Sequence, residues 1–343
     1  MPRRALTLLV AGIAVVIAAV VAAVLPVPYV VLSPGPTLNT LGTSGGVPLI
    51  QIQGHRVNPT VGNLNMVTVD FQGGPGDEIN IFTALRAWLD PHDAVVPQQE
   101  VFGTGQSQQQ VLKQDVQEMT GSQQDATAAA LTELKIPFKT LIAIANTEPG
   151  MPSAGVLRAG DIIADVNGTP INSLATLTTQ IRDHPAGTPL QLTVIRSGKT
   201  QQLSLKAVQS QGHPEIGVEV VEQYKFPFEV TIKVGNIGGP SAGLMFALGI
   251  IDKLGSVNLT GGRFIAGTGE IDPNGAVEPI GGIQQKMAGA RAQGATVFLA
   301  PAGNCSDAVS AVPAGMRLIK VSTLAGAVQD LEALKANRPV PSC

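Results

Sequence analysis

The longest uninterrupted apolar run in the chain is Ala5 to Leu25, 21 residues without a charge. At 1.5 Å per residue such a helix crosses the hydrocarbon core of a bilayer. A second apolar stretch, Leu244 to Leu254, is shorter and differently used. Leu244, Met245, Phe246, Ala247, Leu248, Ile250, Ile251 and Leu254 cover nearly every side of a helical wheel, which predicts a fully buried helix, ended by Gly255. Elsewhere the pattern alternates between two periods. Runs with period near two predict strands at Leu64–Phe71, Leu141–Ala145, Gln191–Ile195, Gln201–Lys206, Glu229–Val234, Thr296–Ala300 and Arg317–Val321. Runs with period near 3.6 predict helices at Ile79–Leu89, Val111–Met119, Asp125–Leu134, Ser173–Asp183, Ile283–Gln293 and Thr323–Ala336. Strand and helix periods occur in one chain, and the fold class expected is α+β.

The pattern also divides the chain. Residues 5–25 form a transmembrane anchor, 29–134 a first globular stretch, 135–212 a small β-rich unit and 216–338 a second globular stretch. Arg3 and Arg4 precede the anchor and no cation follows it closely, which orients the N-terminus inside and the bulk of the chain outside. A cleaved signal peptide is the rival reading: its apolar core is shorter, about 7–15 residues, but Ala19–Ala23 offers small residues for cleavage. Cys305 and Cys343 are the only cysteines. Two cysteines in an extracytoplasmic chain predict one disulfide, tying the tail to the loop at Asn304–Cys305.

Composition narrows the chemistry. A net charge of −3 and 3% aromatic residues give no basis for nucleic-acid binding. The four histidines, His55, His92, His184 and His213, have no ligand spacing, so neither a metal nor another cofactor is expected. No G-x-x-x-x-G-K-[ST] sequence occurs; Gly198-Lys199-Thr200 lacks the upstream glycine. Two stretches carry reactive groups. In Gly238-Gly239-Pro240-Ser241-Ala242-Gly243 a serine stands at the mouth of the buried helix, where backbone N–H groups of Gly239, Ser241 and Ala242 can face an oxyanion. An ordinary helix N-cap is the plainer reading of that serine. Downstream, Lys286 lies at the edge of the Ile283, Met287, Ala290 stripe. A lysine pressed into apolar surroundings loses solvation, its pKa falls and it becomes a base for a hydroxyl; a snorkelling surface lysine has the same spacing.

Taken together, Pro240-Ser241-Ala242-Gly243 with its apolar helix, Thr268-Gly269-Glu270, and the block Gly275 to Lys286 containing Pro279-Ile280-Gly281-Gly282 resemble the proteolytic domain of Lon-type proteases. The resemblance implies a Ser-Lys dyad with Ser241 as nucleophile, Lys286 as general base and the Thr268 hydroxyl orienting the lysine. Many such proteases carry an acidic residue three positions before the serine; here that position is Gly238. Residues 29–134 resemble, more faintly, the first part of the same domain.

Thr147 to Gly155 followed by Leu157-Arg158-Ala159-Gly160-Asp161-Ile162-Ile163-Ala164-Asp165-Val166-Asn167-Gly168 resembles a PDZ domain of the bacterial protease-associated kind. The resemblance implies peptide capture by strand addition, with the carboxylate-binding loop expected before the Leu141 strand, at Lys135, Ile136, Pro137 and Phe138. The combined expectation is an ATP-independent serine endopeptidase, membrane-anchored through its N-terminal helix and facing outward. Its partners are flexible or unfolded protein substrates, and the Lon resemblance adds a homo-oligomeric ring. The alternative is a non-catalytic PDZ adaptor or chaperone-like protein on a vestigial protease fold.

Overall fold

The computed structural model describes residues 3–103 and 105–343. Two compact units emerge: one built from residues 1–135 and 228–343, the other from Ile136 to Pro227. The second is therefore inserted into the sequence of the first, and the chain enters and leaves it by two covalent links.

The larger unit is organised on a six-stranded sheet. Its order is Arg317–Val321, Val297–Pro301, Phe264–Gly267, Asn63–Gln72, Tyr29–Asn39 and Ala94–Pro97. The first four strands are parallel and the last two pairings antiparallel. Alternation along these strands sorts side chains onto two faces. Leu64, Met66, Ile265, Val297, Leu299, Ile319 and Val321 pack in one core with the helices Gly243–Leu254 and Leu324–Lys335 and the C-terminal half of Gln108–Glu133. Val67, Ala266, Phe298, Ala300 and Leu318 pack in the other core, under the helix Ile283–Ala292. Every residue of Gly243–Leu254 except Leu254 is buried, as its all-round apolar wheel requires.

This layering decides where the reactive groups go. The helix Gly243–Leu254 precedes strand Phe264–Gly267 and the helix Ile283–Ala292 follows it, one on each face of the sheet. Both helices therefore begin at the carboxyl end of that strand, the usual place for a site in an open α/β sheet. Sequence periodicity split Gln108–Glu133 into two helices; it is one, of 26 residues, because Gly121 faces open space and its small loss of helix propensity is outweighed by the packed second half. Ser107 and Gln110 cap its start reciprocally.

The inserted unit holds a sheet in the order Lys199–Lys206, Pro189–Arg196, Ile162–Val166, Lys139–Thr147 and Val218–Lys225, with Thr169–Pro170 beside Ile162–Val166. Ile142, Ile144, Ile163, Val166, Leu177, Leu190 and Leu192 form its core. Asp161 is almost fully buried and held by Arg196 at 2.6 Å, which keeps its carboxyl below the usual range. The unit reaches Pro227 rather than residue 212. The reason is strand Val218–Lys225, which pairs along its whole length with Lys139–Thr147.

The helix Arg3–Val24 has a mean hydropathy of 2.9 and no buried residue. It meets the length and composition of a membrane span, and being near the N-terminus it equally meets those of a signal sequence. A disulfide joins Cys305 to Cys343, closing 38 residues that include the edge strand Arg317–Val321 and the helix Leu324–Lys335. Cys343→Ser is expected to lower unfolding stability by about 2–4 kcal/mol, from the entropy returned to the unfolded chain. Denaturant unfolding of both proteins, with a count of no free thiols in the oxidised parent, checks this.

Candidate active site

The turn before the buried helix is fixed from two sides. The Ser122 hydroxyl donates to the Pro240 carbonyl at 2.9 Å, and the Leu244 N–H donates to the Gly269 carbonyl at 3.0 Å. The helix N-cap is Ala242, with no side-chain cap. Ser241 therefore does not cap the helix, and among the described residues its hydroxyl has no hydrogen-bond partner.

Its backbone is held by the strand end opposite. The Ser241 carbonyl accepts from the Thr268 hydroxyl and from the Gly269 N–H, both at 2.9 Å. The Thr268 Oγ1 in turn accepts from Lys286 Nζ at 3.3 Å. Lys286 stands in the first turn of Ile283–Ala292, its own N–H bonded to the Gly282 carbonyl, and is 4% exposed. Burial pushes its ammonium down to about 8 from 10.5; no carboxylate compensates, so desolvation alone sets the shift. Ser241 and Lys286 line one cavity of about 650 Å³, with Met66–Phe71, Asn236–Gly239, Gly281 and Gly282 also in its wall.

The three proposed oxyanion donors do not fare alike. The Gly239 N–H is already given to the Asp115 carbonyl at 3.2 Å. Gly239 is thereby removed as a donor. The N–H groups of Ser241 and Ala242 donate to nothing among the described residues, and they remain at the positive end of the helix.

Asp115, unmarked by sequence reasoning, lines the same cavity from the helix Gln108–Glu133. A Cβ built on Gly238 would lie 2.5 Å from the Asp115 Cβ. The space a side chain at 238 would enter is thus occupied by an aspartate from elsewhere in the chain. Burial, and secondarily Glu118, raises the Asp115 carboxyl above its ordinary value. Only a helical carboxylate was visible in the sequence; nothing local there tied it to a turn more than a hundred residues away.

The sheet of the inserted unit places the residues expected to bind peptide. Strand Lys139–Thr147 is paired along its length with Val218–Lys225 and, at Ile142 and Ala143, with Ile162–Val166; Leu141 is paired with Gln223 alone. The Phe138 ring is packed at 5.5 Å from Phe226 and 5.7 Å from Tyr224, while Lys135 falls outside the unit and Ile136 opens it. The two outer strands of the sheet are Lys199–Lys206 and Val218–Lys225. Strand Val218–Lys225 follows strand His213–Glu215 through Ile216 and Gly217, and Gly217 has φ +71° and leaves no room for a Cβ against Met151.

Known proteins match in two segments. Residues 205–332 match the Lon protease (S16) C-terminal proteolytic domain, and residues 120–207 match the PDZ domain. The chain thus combines a Lon-type proteolytic domain with a PDZ domain. The first match contains Ser241, Thr268 and Lys286. Among similar proteins is the periplasmic serine endoprotease DegP of Escherichia coli (strain K12), 41% identical over 54 residues, 16% of this chain and 11% of that protein. The periplasmic pH-dependent serine endoprotease DegQ of the same organism is 30% identical over 94 residues, 27% of this chain and 20% of that protein. The chain spans between about a tenth and a fifth of the length of these relatives. The crystal structure of the PDZ domain of an SdrC-like protein from Listeria innocua is 24% identical, covers 23% of this chain and 92% of that one, and superposes with a TM-score of 0.22.

The buried amine has a thermodynamic signature. Lys286 is depressed from 10.5 to about 8 in the folded protein, so between those values the unfolded chain holds a proton the folded one has lost. Stability therefore rises with pH through that window, and the full penalty is present below 8. Lys286→Met is expected to be more stable than the parent by roughly 3 kcal/mol at neutral pH, from a shift of about 2.5 units. The gain should shrink as pH approaches 10.5. Unfolding midpoints measured across that range check it.

Proposed function

We propose that this chain is an ATP-independent serine endopeptidase working through Ser241 and Lys286. The observation that carries the reading is the hydrogen-bond relay from Lys286 Nζ through the Thr268 hydroxyl to the Ser241 backbone, at the wall of the cavity Ser241 also lines. In this reading the neutral Lys286 amine takes the Ser241 Oγ proton as Oγ attacks the scissile carbonyl carbon. The carbonyl electron pair moves to oxygen, and the Ser241 and Ala242 N–H groups hold the resulting oxyanion. Collapse expels the amine, which leaves with the proton from Lys286. Water then attacks the acyl carbon as Lys286 takes its proton; the bond to Ser241 Oγ breaks, Lys286 returns the proton to Oγ, and the acid product departs, ionising to the carboxylate. Thr268 is a positioning residue: its oxygen accepts from Lys286 and its proton is committed to the Ser241 carbonyl, so it fixes one against the other.

The helix Arg3–Val24 anchors the protein with the catalytic unit outside the membrane, in line with Arg3 and Arg4 at its start. The disulfide suits an oxidising compartment. The outer strand Val218–Lys225 takes an extended peptide segment of the substrate by strand addition. Flexible or unfolded proteins are the substrate class, since a cavity of about 650 Å³ admits an extended chain and not a folded domain.

Cleavage of an unstructured protein such as denatured casein tests the reading. Ser241→Ala is expected to lose at least about 10³-fold in rate, as removal of a nucleophile does. The parent's kcat/KM should rise with pH through a single ionisation near 8, because only the deprotonated Lys286 accepts a proton and about a tenth of it is neutral at pH 7. A parent that binds the substrate and leaves it intact would favour the adaptor reading instead.

A further inference from the structure

Surface helices of folded domains normally turn large apolar side chains inward. The helix Ile81–Trp88 does the reverse. Its buried residues are the small Ala84 and Ala87. Ile81, Phe82, Leu85, Trp88 and the C-cap Leu89 are exposed, Trp88 by 73% and Leu89 by 78%. These positions are spaced as one stripe of a helix, so the outward face is a continuous apolar strip. The helix is not a frayed end: Asn80 caps it by accepting from the Thr83 N–H at 3.0 Å, and Ala84 and Ala87 pack with Val31, Ile79 and Val95.

Its place in the fold says what covers it. The chain leaves the apolar helix Arg3–Val24 directly into strand Pro26–Val27. That strand pairs with Ile79–Asn80, Pro26 opposite Asn80, and Asn80 opens the helix. Neighbouring strands lie about 4.8 Å apart, so the helix starts within one strand spacing of the point where the apolar span ends. An outward-facing strip of Trp, Phe, Leu and Ile at that level matches the headgroup–acyl boundary, where Trp rings are enriched.

We propose that Ile81–Trp88 is an interfacial helix, seated in the outer lipid surface beside the membrane span. The proposal rests on the anchored reading of Arg3–Val24. Asp77, Glu78, Asp90 and Asp93 flank the helix and Arg86 is its one cation. Seating is therefore apolar rather than electrostatic and does not require anionic lipid.

Trp88 is the only tryptophan in the chain, which gives a direct reporter. The full chain is reconstituted into phosphatidylcholine vesicles, plain or with acyl chains brominated close to the headgroup. Trp88 emission is expected at shorter wavelength than in denatured protein and quenched roughly two-fold or more by the brominated lipid, as for an interfacial indole. Phe82→Ser combined with Leu89→Ser, both at exposed positions, should abolish that quenching while the chain still resists alkaline extraction. Trp88 quenched by aqueous iodide and not by bromine overturns the inference while leaving the anchor intact. Shielding from both quenchers means a second copy covers the strip, and also overturns it. Release of the parent by alkaline extraction removes the anchored reading and this inference with it.

Discussion

An amine taken out of water with no carboxylate beside it is the constraint around which this protein is built. A charged lysine in the place of Lys286 is disfavoured by burial alone, and among the described residues its Nζ donates only to a hydroxyl. Such a group survives only if the surrounding packing is strong enough to hold it there. The two-faced sheet supplies that packing. Ile283 and Met287 on either side of Lys286 are core residues, and the helix Gly243–Leu254 on the opposite face is buried almost throughout. Stability given up at one side chain is offset by two cores, and what remains is a base that is partly neutral near pH 7.

The sheet geometry also explains why residues 241, 268 and 286 converge. None of the three spacings corresponds to a helical face or a strand pair. They meet because two helices on opposite faces both begin where strand Phe264–Gly267 ends. The parallel step from Phe264–Gly267 to Val297–Pro301 requires a crossover, which carries the helix Ile283–Ala292 and Lys286. The helix Gly243–Leu254 instead leads into Phe264–Gly267 from strand Glu229–Ile232, which pairs outside this sheet.

How much of this was legible from residues follows the range of each interaction. The buried helix Gly243–Leu254 and the strand Asn63–Gln72 were readable because their patterns are local. Ser241 and Lys286 stood out only when their flanking blocks were read together. The carboxylate of Asp115 and the loss of the Gly239 N–H to the Asp115 carbonyl were not readable, since both depend on a helix packing across the site. The outer strand Val218–Lys225 of the inserted unit was not readable for a related reason. Strand Val218–Lys225 lies far along the chain from its partner Lys139–Thr147, and with its run of Glu219, Val220, Val221, Glu222 and Gln223 it has no clean alternation. Which strand ends a sheet is decided by pairing, and pairing is not written in any one segment.

The contact between Gly238 and Asp115 ties two distant positions into a single steric unit. Neither can drift alone: a side chain acquired at 238 must be matched by a smaller residue, or a displaced helix, at 115. Over evolutionary time the negative charge at this wall can change its address in the sequence while keeping its place in space. Across homologous chains, the two sites should therefore covary as a swap, with an acidic residue at one and a small one at the other.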